Sequence, residues 1–349
     1  MNVTVHQRPG VYSAYDASSV VSGSGAGKQV GLVAVNAKAA ANEVKIVTSY
    51  DGAVNAFGQG TMAELVRLAL KNGAGAVAAV PIAGGEGYAD GFAALEGLED
   101  ITAVICDSTD GDVQKTMKQS VETASANRRE RIAVAAGGAG ETVDQLIARA
   151  KALNHERVVL VAPGGVNQNG EAADGLGVAA TVAGAIAGES DPAVPLGGAV
   201  LTGLYGLSGR YSDGEMDRLI LGGVTPVESL AGTIGVVRGV TTRTTTGEAA
   251  DATWRDLTTI RIVDDVIPTL RRALRTKFQR AKNTAQSRGA IRAQVVLELE
   301  NKKTREIITG YENVTVTADS QDPARCLVDF SFTVAHGLNQ IWLTAHITV

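Results

Sequence analysis

RVVLVA, residues 157–162, is apolar at every position after its arginine. A strand with one wet face alternates apolar and polar residues, so a strand with no polar position is buried on both faces, as in a parallel sheet covered by helices. The same pattern marks Val30–Val35, Ala76–Ile82, Ile101–Cys106 and Ile132–Ala136. Between these runs, Met62–Lys71, Tyr88–Gly97, Asp112–Arg129, Glu141–Ala152 and Ala172–Ala187 carry apolar residues at helical spacing. The alternation predicts βαβ units: an α/β domain over residues 26–250 with a central, mainly parallel sheet flanked by helices.

Downstream the pattern changes. Ile260, Val263, Val266, Ile267, Leu270, Leu274 and Phe278 fall on one helical stripe. That stripe needs a sheet, and Val328, Phe330, Phe332 and Val334 alternate with Asp329, Ser331 and Thr333 to supply one. A second alternating segment, with Ile341, Leu343 and Ile347 on one side and Trp342 on the other, runs to Val349. These features predict a smaller α+β carboxy-terminal domain over residues 251–349. A strand with nothing after it lies at a sheet edge or is donated to another molecule. Residues 1–25 read as an extended arm, with Val3 and Val5 alternating with polar residues, a Pro9-Gly10 break, and then Val11 and Tyr12.

A chain of 349 residues exceeds the size at which one core keeps growing, which agrees with two domains. The net charge of −5 points to neither nucleic acid nor membrane. No apolar run reaches the roughly 18 residues of a membrane span, and no signal peptide is legible, so a soluble protein with no membrane anchoring is expected. Cys106 and Cys326 are far apart and read as buried free thiols made in a reducing compartment.

Several stretches resemble chemical sites without meeting their requirements. SGSGAGKQ (22–29) has Ser22 for the first glycine of a phosphate loop and Gln29 for its hydroxyl. Gly137, Gly138 and Gly140 open a helix after a strand but lack the dinucleotide spacing. Asp107 to Asp112 sits past a strand's carboxyl end, where a ligand-binding or hydrolytic enzyme would place its carboxylates, yet the same residues suit helix capping. The histidines His6, His155, His336 and His346 have no metal-ligand spacing, and no nucleophile elbow occurs. No catalytic residue, cofactor or metal is expected.

The run VVRGVTTRTTT (236–246) followed by WRDLTTIRIVDDV (254–266) resembles the contractile tail sheath proteins of phages and phage-tail-like bacteriocins. RPGVY (8–12), NRRERIAV (127–134), PLGG (195–198) with LTGLYGLS (201–208), GEMDRLILGGV (214–224) and IWLTAHITV (341–349) are similar to sheath stretches in the same order. The chain resembles a minimal version without outward domains, and it has Ala335-His336-Gly337 where the family often shows an Arg-Pro pair. The resemblance implies a structural subunit, not an enzyme, made in the bacterial cytoplasm and carried in a virion tail or released particle. The α/β domain would carry a subtilisin-like fold label and no protease site. Subunits would form hexameric rings stacked helically around an inner tail tube protein, with baseplate and tail terminator proteins at the ends. Neighbours would be tied by strand exchange through Val3, Val5, Val11, Tyr12, Ile341, Trp342, Leu343 and Ile347.

One charge feature suits that role. Val266 to Leu297 holds eight of the 32 basic residues and none of the 37 acidic ones. Read as one basic helix, it implies an acidic partner, with Arg271, Arg272, Arg275, Lys277, Arg280 and Lys282 as the expected inner-tube contact. A nucleic-acid surface fits less well, because the stretch holds a single aromatic, Phe278, and the chain is acidic overall.

Overall fold

The computed structural model describes residues 28–339. The expected arm and the segment from Ile341, with every residue assigned to strand exchange, lie outside them.

In chain order the first part comprises β1 (Gln29–Val35), β2 (Lys45–Val47), α1 (Tyr50–Phe57), α2 (Thr61–Lys71), β3 (Ala76–Ile82), α3 (Tyr88–Leu95), β4 (Ile101–Cys106) and α4 (Gly111–Ala126). It continues with β5 (Ile132–Ala136), α5 (Val143–Leu153), β6 (Val158–Ala162), α6 (Leu176–Gly188), β7 (Val200–Leu201), α7 (Asp213–Leu221), β8 (Val224–Leu230) and β9 (Thr233–Val236). The strands form one nine-stranded sheet in the order β2-β3-β1-β4-β5-β6-β8-β9-β7. β3, β1, β4, β5, β6 and β8 are parallel; β2 pairs antiparallel with β3 at one edge, and at the other β9 pairs antiparallel with both β8 and β7.

The both-faces-buried reading holds along most of these strands, with Val35 at the end of β1 exposed and Thr102 in β4 half-buried. β3, β5 and β6 are buried along their whole lengths. Val30, Leu32 and Ala34 face a core shared with α2, α6 and the first turns of a later helix; Val33 faces a second core built on α3, α4, α5 and α7. On the first face α6 packs against the end of α2 so closely that a Cβ on Gly184 would stand 2.4 Å from the Ala69 carbonyl oxygen. The segment 197–240, which has none of the long apolar runs that mark the other central strands, contains β8 beside β6. Pro226 inside β8 lacks an N–H and argues against a strand, but its carbonyl still accepts from Val237 N at 2.9 Å.

The remaining elements are the short hairpin β10 (Thr245–Thr246) and β11 (Ala249–Ala250), then α8 (Leu257–Phe278), α9 (Ala285–Thr304), β12 (Ile308–Ala318) and β13 (Cys326–Val334). The single basic helix expected from Val266 to Leu297 is two helices. Thr284 caps α9 by accepting from Ser287 N at 3.2 Å, and Asn283 donates to the carbonyls of Pro323 and Arg325, which fixes the break between them. The helical stripe is also divided. Leu257, Ile260 and Val263 pack into the α/β core, whereas Val266, Leu270 and Leu274, with Ile262, join Val295, Leu299 and the faces of β12 and β13. α8 is therefore a wall of two cores.

Candidate functional site

α8 is held at the amino ends of the parallel strands, opposite the edge where α/β enzymes bind ligands. Arg157, at the start of β6, grips Asp264 with both guanidinium nitrogens at 2.7 and 2.8 Å. Burial pushes the Asp264 carboxyl above its ordinary range, and the Arg157 hydrogen bonds only partly offset that. Arg271 reaches Glu130 before β5 at 3.0 Å, and Arg238 holds Asp256 at 2.8 Å. From the other side Lys302 on α9 pairs with Asp265. Buried Arg261 donates to the Glu189 and Val194 carbonyls, and desolvation lowers its pKa.

The polar crossing at 241–254 is tightly built. Thr241 and Thr242 are fully buried; Thr242 N donates to the Val158 carbonyl at 2.8 Å, and Thr241 Oγ1 to the Trp254 carbonyl at 2.6 Å. Asn154 accepts from the amides of Thr244 and Thr245. His155 accepts from Arg157 N at its Nδ1, which leaves Nε2 as the donor toward Glu122 at 3.0 Å. Burial lowers the His155 pKa against the pull of Glu156 and Glu122. The block RGVTTR to IRIVDD is thus the seam between the sheet and the carboxy-terminal elements. The NRRER stretch has its own anchor: buried Arg131 donates to the carbonyls of Leu95, Leu98 and Arg129, satisfying the end of α3, and burial lowers its pKa to about 10.

The six cations expected to face one partner do not share a face. Arg271 is bound to Glu130, and Arg272 and Arg275 line a groove of about 550 Å3 between α8 and the strand ends. Lys277 reaches across to Gln294 on α9. Arg280 and Lys282 are exposed in the turn joining α8 to α9, beside the β12–β13 turn that Asn283 holds. Sequence reading missed the groove's other wall: Arg128 and Arg129, before β5, line it too. Nothing in local pattern links them to a helix some 140 positions away.

Among the described residues β12 and β13 pair only with each other. β13 alternates half-buried and exposed residues along its whole length. Val328, Phe330, Phe332 and Val334 lean on α8 and α9, and the rings of Phe330 and Phe332 stack at 6.3 Å.

The candidate chemical sites have structural occupants. Asp107 receives the Tyr88 hydroxyl at 2.6 Å and Val35 N at 2.9 Å; Asp110 caps α4 by accepting from Asp112 N and Val113 N, which lower its pKa. Glu141 fills the Gly137–Gly140 turn, accepting from Gly138 N at 2.8 Å and pairing with Arg149. Cys106 is buried and its thiol is pushed up to about 12 by desolvation; Cys326, expected to be buried, is only half-covered because it starts an edge strand. Among the described residues no group of three or more His, Cys, Asp and Glu side chains could hold a metal ion, and no helix is long and apolar enough to cross a membrane.

A polar seam thus joins the α/β body to the β12–β13 hairpin and the two helices that cover it. Two family models match the chain: the phage tail sheath protein central domain over residues 82–242 and the phage tail sheath carboxy-terminal domain over 249–348. The chain belongs to the phage tail sheath family, whose members are structural proteins and not enzymes. No curated protein matches the sequence. Among solved structures, the sheath tail protein of Desulfitobacterium hafniense superposes with a TM-score of 0.70 over 93% of this chain and 100% of that one, at 13% identity. The anti-feeding prophage helical sheath in its contracted state gives 0.73 over 98% and 99%, at 17% identity. The contracted PVC sheath complex of an extracellular contractile injection system gives 0.71 over 99% of each chain, at 18% identity.

Proposed function

We propose that this chain assembles as hexameric rings stacked helically around an inner tail tube, and that contraction of the stack drives the tube through a target envelope. The observation that carries this reading is the two-stranded β12–β13 sheet. Among the described residues each of these strands pairs on one side only, and an unpaired strand edge is a template for another strand. Strands added by neighbouring copies, through Val3, Val5, Val11 and Tyr12 at one end and Ile341, Trp342, Leu343 and Ile347 at the other, would satisfy those edges with main-chain hydrogen bonds. The two-domain division, with a body over 26–250 and a carboxy-terminal domain over 251–349, fits the same role: the body stays closed while the small sheet is shared.

The exposed tip of the carboxy-terminal unit, with Lys277, Arg280 and Lys282, supplies the contact with an acidic tube surface. Screened ionic contacts of this kind hold a surface without locking it. Baseplate and terminator proteins would close the ends of the stack, and nucleic acid and membrane have no part in it. Assembly in the bacterial cytoplasm, before export in a virion tail or released particle, follows from that role.

Deleting Ile341 to Val349 tests the reading. The expected product is a folded monomer that forms no tubes under negative stain; normal tubes from the truncated chain would refute strand exchange. Reversing Lys277, Arg280 and Lys282 to Glu should spare self-assembly and weaken co-sedimentation with tube protein, and unchanged capture would remove the tip from the contact.

A further inference from the structure

The parallel strands carry opposite charge at their two ends. At the amino ends lies the groove between α8 and the strand starts. Its Asp264 is taken by Arg157 and its Glu130 by Arg271. Arg128, Arg129, Arg272 and Arg275 remain with no ion-pair partner among the described residues, against Glu99 and Asp100 at the rim. Arg128, Arg272 and Arg275 are exposed. Four guanidiniums from two separate parts of the molecule, converging on one concavity, form a receptor for carboxylates, which they can bind in a bidentate fork.

At the carboxyl ends lies an acidic rim. Glu86 lies in the single turn Gly85–Gly87 that leads into α3 and Asp90 in the first turn of α3, while Asp110 caps α4 and Asp112 lies in its first turn. These two helix starts are joined by the Tyr88 to Asp107 hydrogen bond, so the rim is continuous. Glu86, Asp90, Asp110 and Asp112 are exposed, and Lys115 pairs with Asp112 at 2.8 Å. Acids in the first turn of a helix are favoured by the helix dipole. That local role leaves their charge facing solvent and available to a second partner.

We propose that the arginine groove receives the acidic α3–α4 rim of a second copy of this chain, displaced along the strand direction. β4 connects the two features: Ile101 at its start lines the groove, and Asp107 follows its end. A contact between two different patches of identical subunits is heterologous and propagates as an open stack when it does not close into a ring. This inference rests on the self-assembly proposed above and adds a polar, salt-sensitive contact distinct from strand exchange. Because the groove's walls come from the α/β body and from α8, an occupied groove also ties the two together.

The test compares wild type with Arg272→Glu/Arg275→Glu, with Glu86→Lys/Asp90→Lys, and with all four substitutions in one chain, by sedimentation and negative stain without tube protein. Thermal melts check that each variant is folded, as the exposure of all four positions predicts. Each double variant should need a concentration at least about tenfold higher to assemble, and the fourfold variant should recover most of that loss. Wild-type assembly should weaken as ionic strength rises. Double variants that assemble like wild type, or a fourfold variant no better than either double, would overturn the inference. So would an arginine variant that self-assembles normally and, in a parallel co-sedimentation with tube protein, loses only tube capture, since the groove would then belong to the tube. A wild type that never assembles would instead sink the sheath reading itself.

Discussion

Every residue of β3 is buried, whereas β13 alternates half-buried and exposed positions from Cys326 to Val334. The first strand has neighbours on both sides and helices on both faces; among the described residues the second has one neighbour and one covered face. A sheet completed within one chain spends its hydrogen-bonding groups internally. Under the proposed strand exchange the β12–β13 sheet would take its further strands from neighbouring copies, and the joint between subunits would lie outside the rigid body. α8 links the two regimes, because its first turns lie in the closed core and its later turns in the open one.

The sharpest way to break that link is Arg157→Ala. It strands the Asp264 carboxylate, whose side chain is 15% exposed, and should cost roughly 3–5 kcal/mol in denaturant unfolding. Replacing both partners with apolar residues of similar volume should recover most of the loss. Leu160→Ala, at a fully buried site in β6, should cost roughly 2–5 kcal/mol and lower the melting temperature of monomer and assembly alike. Phe332→Ala, in the half-covered strand, should cost about 1–2 kcal/mol in the monomer yet impair assembly more than Leu160→Ala does. Equal effects of the two on assembly would erase the contrast between the sheets.

The smallest effect is a pH dependence at the seam. Burial gives folded His155 a lower pKa than the unfolded chain, so below about pH 6.5 the unfolded state binds more protons. Stability is therefore lost as pH falls through that range. The melting temperature of wild type should drop more between neutral and mildly acid pH than that of His155→Gln. Parallel profiles would show that His155 does not titrate into the seam.

Much of the body was legible because full burial is a one-dimensional signal. β3, β4, β5 and β6 match their apolar runs end to end. β8 was hidden by Pro226, which reads as a break yet sits where its carbonyl can still pair. β12 was hidden by irregularity: Asn313 has a left-handed backbone, φ +56, and the register with β13 shifts between Glu312 and Thr315. Such a bulge interrupts the two-residue period by which a strand is recognised. The basic segment was visible as composition, but not its division between Arg272 and Arg275 in the groove and Arg280 and Lys282 at the tip. That division depends on where α8 ends and on Arg128 and Arg129, which only the fold brings alongside.

The most direct test is hydrogen exchange at the β13 amides that point away from β12, measured in monomer and in assembled protein. The account predicts fast exchange in the monomer and strong protection after assembly, with the protection removed by deletion of Ile341 to Val349. Slow exchange already in the monomer, unchanged by assembly, would show that each chain closes its own sheet.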